Sequence, residues 1–110
     1  MPLQLADAGY DVWMGNNRGK EYSQVHETYG VDDAEFWEFG WAEMGLYDDV
    51  ANVKLIKNET GKDKVIYLGW SQGTTQLFYA LAHKEEDFFA DSLLKAVLFA
   101  PATLVNSLGD

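Results

Sequence analysis

Gly69-Trp70-Ser71-Gln72-Gly73 sets one hydroxyl between two glycines. An apolar run, Val65-Ile66-Tyr67-Leu68, leads into this pentapeptide, and a helix-forming run with Leu77, Phe78 and Leu81 on one face leads out of it. In that setting the spacing has chemical meaning. A serine on a sharp strand-to-helix bend holds its hydroxyl clear at the strand's carboxyl end, where it can attack an acyl carbon. Gly69 and Gly73 lack Cβ atoms, so strand and helix can close on the bend without collision. The free N–H groups and dipole at the start of the helix favour negative charge there. The backbone N–H of Gln72 would be one donor of an oxyanion hole for the attacked carbonyl. Ser71 is the candidate nucleophile. The bland alternative, a serine that merely caps a helix, leaves the preceding strand and both glycines unexplained.

A serine nucleophile needs a base, and the base needs an orienting acid. His83 does not suit the first role, and for His26 a surrogate base is the lesser of two readings. His83 stands 12 residues beyond Ser71 on the same expected helix (83 − 71), ~18 Å away at 1.5 Å per residue. His26 lies in a polar loop and reads as a hydrogen-bond donor that tethers it. Asp91 and Asp110 have no claim to the acid role. The triad histidine is therefore expected outside these 110 residues. The chain has no cysteine, which excludes disulfides and cysteine-ligated metals within it, and no metal or organic cofactor is expected.

The elements that position Ser71 follow from composition and period. With 47% hydrophobic and 24% charged residues the chain can build a core, which argues against intrinsic disorder. A net charge of −10, with eight basic residues that do not cluster, argues against nucleic acid. The longest nearly apolar stretch, Leu93 to Val105, is broken by Lys95 and Pro101 and is too short to span a bilayer. The first ten residues lack the basic and apolar regions of a signal peptide. Asn58-Glu59-Thr60 is a glycosylation triplet, meaningful only in a secreted chain.

Helices are expected near 2–8, closed by Gly9, near 33–57 from Asp32 and Asp33, and near 71–83, ended by the polar run 84–87. Gly40 and Gly45 weaken the second of these. Trp41, Met44, Ala51 and Leu55 give it a rough apolar stripe. Parallel strands are expected near 10–15, 64–70 and 95–100; continuous apolar runs at the last two suggest strands covered on both faces. Phe36, Trp37, Phe39 and Trp41 read as core and cap packing. Strands alternating with helices make this an α/β fold, one domain over 1–110.

Residues spread along the whole chain resemble those of the acid lipase family, the group of lysosomal and gastric lipases within the α/β-hydrolases. They are Leu5 to Trp13 with Gly15-Asn16-Asn17-Arg18-Gly19, then Tyr22-Ser23 and His26. Phe36-Trp37, Trp41, Glu43-Met44 and Tyr47-Asp48 follow, and Gly69 to Gly73 with Thr74 and Phe99-Ala100-Pro101 complete the set. The resemblance implies hydrolysis of neutral lipid esters, acylglycerols or sterol esters, through a Ser71 acyl-enzyme, in a lysosomal or secreted protein. Trp70 departs from the family's usual His and is expected to alter fit. Asp49-Val50 departs where the family carries a proline, a change expected to touch helix shape only.

The resemblance also implies that the triad acid lies outside these residues and that a central strand, which carries the second oxyanion donor, lies upstream of Met1. It would run between the strands at 10–15 and 64–70, making this a partial α/β-hydrolase fold. Alone, the 110 residues are then expected to be inactive and to be insoluble, molten or paired with another strand or chain. Two other functions share these residues: a non-catalytic remnant that binds apolar ligands or a partner, and another serine hydrolase, a thioesterase or peptidase, on the same fold. Acyl-chain and head-group specificity have no carrier in these residues.

Overall fold

A computed structural model describes residues 1–83 and 86–103. Residues 84 and 85, where the third expected helix was to end, and Asp110 lie outside the described residues. The chain opens with α1 (Pro2–Asp7), started by a proline at its first turn and followed by Gly9 at φ +92°.

No strand forms at 10–15. A strand exists only through its ladder, and this segment pairs with neither strand of the sheet; the Tyr10 N–H turns back to the Leu5 carbonyl at 3.1 Å. The loop that follows is tied down instead at Arg18. Its backbone N–H and its guanidinium all donate to the Asp48 carboxylate, at 2.8–3.1 Å.

The helix expected over 33–57 begins later and ends later. Asp33 precedes only a short 3₁₀ turn, Ala34–Trp37. Phe36 is buried there, with Trp37 and Phe39 packed edge-on against it, as the expected aromatic cluster requires, although Trp37 stays 47% exposed. Gly40 is extended and stops the chain from continuing. A helical run then starts with α2 (Trp41–Glu43), passes through a π-type segment, Met44–Asp49, and continues as α3 (Val50–Thr60) to Gly61 at φ +66°. The Glu43 carboxylate accepts the Gly40 N–H at 2.8 Å, a bond that holds its pKa below the usual range.

The expected stripe through Ala51 and Leu55 faces water; Gly45, Asp49, Val50 and Val53 are the buried positions. The π-type segment is the reason. An i→i+5 turn takes about one residue more than an α turn, so the face set at Trp41 and Met44 is not the face after Asp49. Gly45 lies where the run crosses the next helix, and a Cβ there would run into the Gln76 carbonyl oxygen.

The remaining elements form one βαβ unit: β1 (Val65–Trp70), α4 (Gln72–His83), α5 (Glu86–Ser92) and β2 (Leu93–Phe99). The two strands pair in parallel, from Ile66 opposite Lys95 to Trp70 opposite Phe99. The second strand thus starts at Leu93, and a helix fills the stretch where only a polar break was expected. Phe89 of α5 is 1% exposed and explains it: the helix turns one aromatic under α4. Val50, Val53, Leu77, Ala80 and Phe89 form the core, with Val65, Tyr67, Leu93 and Leu98 packed against it.

All of that core lies on one face of the sheet. On the other, Ile66, Leu68 and Trp70 are exposed, so the apolar run in β1 is not covered on both faces as its composition suggested. Among the described residues no helix is long and apolar enough to cross a membrane.

Candidate active site

Ser71 stands alone between the last residue of β1 and the first of α4, and its φ is +48°. A left-handed conformation costs a non-glycine residue about 1–2 kcal/mol, so the bend has to be held from outside. Three backbone anchors hold it. The Ser71 N–H donates to the Phe99 carbonyl at 3.0 Å, tying the bend to the end of β2. The Ser71 carbonyl accepts both the N–H and the hydroxyl of Thr74, at 2.9 and 2.6 Å. Thr74 in turn accepts the Ala102 N–H at 3.0 Å, and Thr75 donates to the Ala102 carbonyl at 2.7 Å. The segment after β2 therefore laces onto the first turn of α4. Thr74 is fully buried, whereas Ser71 is exposed.

Gln72 opens α4, so its N–H has no acceptor within the helix. Its side-chain amide turns back to the Met44 sulfur at 3.1 Å. The two glycines are not equivalent. A Cβ on Gly69 would lie 2.9 Å from Leu98 Cδ2, 3.0 Å from Tyr67 Cε1 and 3.2 Å from the Gly73 carbonyl carbon; one on Gly73 would meet nothing closer than the Tyr67 hydroxyl at 3.8 Å. Only at 69 does close approach demand glycine. Trp70 is 63% exposed and stacks on Phe99 with ring centroids 5.5 Å apart, at the edge of the uncovered sheet face.

Beneath the bend, the Tyr67 hydroxyl lies 2.8 Å from the Gly73 carbonyl and 3.0 Å from an Asp49 carboxyl oxygen. Position 49 thus does more than shape its helix. Burial pushes its carboxyl up to about 7. Burial, with the Asp49 carboxyl beside it, also raises the Tyr67 phenol well above its ordinary range. Neither residue was read as part of the site from sequence. The available signal was a carboxylate at i−4 from Val53, on an apolar face.

The histidines stand apart from the bend. His83 closes the far end of α4, stacked on Tyr79 with centroids 3.8 Å apart. His26 does tether its loop, but as an acceptor: its Nδ1 takes the N–H groups of Thr28 and Tyr29 at 3.1 and 3.0 Å. Asp91 is exposed at the end of α5. Two shallow hollows, of about 240 and 260 Å³, lie between the 13–25 loop and the helical run, lined by residues such as Trp13, Asn16, Tyr22 and Asn52; neither includes Ser71. Among the described residues no group of three or more metal-ligating side chains converges.

A family model of the alpha/beta hydrolase fold matches residues 1–107. Lipase member M of Mus musculus is 46% identical over 102 residues, 87% of this chain and 24% of the mouse protein. The lysosomal acid lipase/cholesteryl ester hydrolase of Homo sapiens is 44% identical over 108 residues, 93% of this chain and 27% of its own length. Gastric triacylglycerol lipase of Rattus norvegicus is 39% identical over 120 aligned positions, 94% of this chain and 30% of that protein. The chain thus spans 24–30% of the length of these three relatives. With a bend of this form at Ser71 and a family match over nearly its whole length, the chain belongs to the α/β-hydrolase fold family, among the acid lipases.

Proposed function

We propose that Ser71 is the nucleophile of a lipase or sterol esterase that cleaves carboxylic esters of neutral lipids. The observation that carries this reading is the isolated residue at φ +48° between a strand end and a helix start, exposed and anchored through its backbone alone. The hydroxyl oxygen attacks the ester carbonyl carbon and its proton passes to a base; the bond to the alkoxy group breaks as the base returns that proton to the leaving alcohol, and water later releases the acid from the acyl-enzyme. The Gln72 N–H faces the oxyanion, with Gly69 giving the room that the bend needs. Triacylglycerol and cholesteryl ester substrates, and a lysosomal location, rest on the names of the human and rat relatives; a secreted location rests on the family resemblance.

The test is labelling of the full-length protein with a fluorophosphonate probe. Ser71 should carry the adduct, Ser71→Ala should abolish it, and trioleoylglycerol or cholesteryl oleate hydrolysis should fall with it. A protein that resists the probe while folded is a non-catalytic member of the family.

A further inference from the structure

Tyr67 has one phenolic proton and two oxygens to satisfy. The Gly73 carbonyl can only accept, so an approach of 2.8 Å requires the phenol to donate to it. The phenol oxygen is then left to accept, and its 3.0 Å contact with Asp49 Oδ2 is a hydrogen bond only if the carboxyl carries the proton. The ionised alternative sends the phenolic proton to Asp49 and leaves two bare oxygens 2.8 Å apart at Gly73. One proton fewer breaks the chain of bonds at its far end.

The location of that end matters. Tyr67 lies four residues before Ser71 and Gly73 two after it, so the Tyr67–Gly73 bond spans the bend from strand to helix. The ring reaches across because Gly69, the next residue on the same face of β1, has no side chain; a Cβ there would be 3.0 Å from Tyr67 Cε1. We propose that Asp49, held as a neutral acid, and Tyr67 form a two-bond clamp that positions the Gly73 carbonyl and the first turn of α4 behind Ser71. Asp49 is thus a positioning residue for the acyl transfer proposed above, and the inference rests on that reading.

The surroundings suit a neutral acid. Burial raises the Asp49 pKa to about 7 against the opposing pull of the Tyr67 hydroxyl, and the charge of Asp48 adds to the rise. Asp48 is itself engaged by Arg18 at 2.8 Å. The Glu43 carboxylate is turned to the Gly40 N–H, and the Lys57 ammonium is 3.0 Å from Ser92 Oγ. Helix α4 carries no titratable residue before Tyr79, and β1 offers only Tyr67. Asp49 is 7% exposed, and no cation is bonded to it among the described residues.

The experiment compares the full-length protein with Asp49→Asn, whose amide donates to the phenol at every pH, and with Asp49→Leu, which cannot donate. Fluorophosphonate labelling of Ser71 is followed from pH 5 to pH 9, and the Asp49 carboxyl is titrated by ¹³C NMR. The ratio of labelling rates, unsubstituted protein to Asp49→Asn, should fall about tenfold between pH 6 and pH 8, following the protonated fraction of an acid near 7. At pH 5, Asp49→Leu should label several-fold more slowly than Asp49→Asn. A ratio that stays flat overturns the positioning role and leaves the nucleophile intact. A carboxyl titrating near 4 overturns the clamp itself. No labelling of the unsubstituted protein at any pH overturns the nucleophile reading, and the role of Asp49 goes with it.

Discussion

Replacing Gly69 by alanine tests the steric logic of the bend most directly. The new methyl would sit 2.9, 3.0 and 3.2 Å from Leu98 Cδ2, Tyr67 Cε1 and the Gly73 carbonyl carbon, against about 3.5–4.0 Å for ordinary carbon contacts. Leu98 can give, since its methyl is the end of a flexible side chain. Tyr67 cannot move freely, because its hydroxyl is held on two sides, and Gly73 is backbone at the bend itself. Overpacking of this kind costs about 1–3 kcal/mol. Pushing the ring off the Gly73 carbonyl adds about 1 kcal/mol for the lost hydrogen bond. Alanine recovers about 0.5–1 kcal/mol over glycine in a strand, so the net loss is about 1–3.5 kcal/mol.

Gly73→Ala is the control that makes the number informative. Its methyl would meet only the Tyr67 hydroxyl at 3.8 Å, an ordinary contact, and alanine is favoured in a helix by up to about 1 kcal/mol. Urea unfolding of both variants in the full-length protein, with m unchanged, should separate them by about 1–4.5 kcal/mol. Ser71 labelling should fall for Gly69→Ala and persist for Gly73→Ala. Equal costs, or a larger cost at Gly73, would show that the packing around Tyr67 does not govern the bend.

Other perturbations follow from the same geometry. Ser71→Gly should stabilise the fold by about 1 kcal/mol, because glycine adopts φ +48° without strain, while abolishing fluorophosphonate labelling. Asp48→Ala should cost about 1–2 kcal/mol in urea unfolding and expose the 16–30 loop to proteolysis, since it strips partners from both the backbone and the guanidinium of Arg18. The Asp49 carboxyl titrates near 3.8 when unfolded and about 7 when folded, so the fold binds the extra proton. Its contribution is full below pH 3.8 and is lost as pH rises through 7, about 4 kcal/mol by pH 8; Asp49→Asn should flatten that part of the stability profile, and equal pH dependence in the two proteins would refute it. The isolated 110-residue chain should self-associate through Ile66, Leu68 and Trp70, 46%, 41% and 63% exposed; a monomeric sedimentation profile at high concentration would count against this.

What could be read from sequence, and what could not, divides along the range of the interactions involved. The bend at Ser71 is local: a strand, two glycines and a helix lie within a few residues, and the structure returns them in that order. Segment 10–15 has the residues of a strand, yet a strand is a relation to a neighbour, and no residue within it can report that neighbour. The apolar run of β1 was ambiguous in the same way, since Ile66 and Val65 look alike in sequence whichever face is covered.

Helix α5 was hidden by the acidic run before it, although Phe89 supplies the apolar contact that fixes it. Asp49 was the hardest position, because the π-type segment shifts the helix phase and carries a carboxylate onto the buried face. A buried carboxylate is costly unless something in the fold uses it or neutralises it. Here burial neutralises it and a phenol one bond from the Gly73 carbonyl uses it, so the residue that most offends the local pattern is also the one coupled most closely to the bend at Ser71.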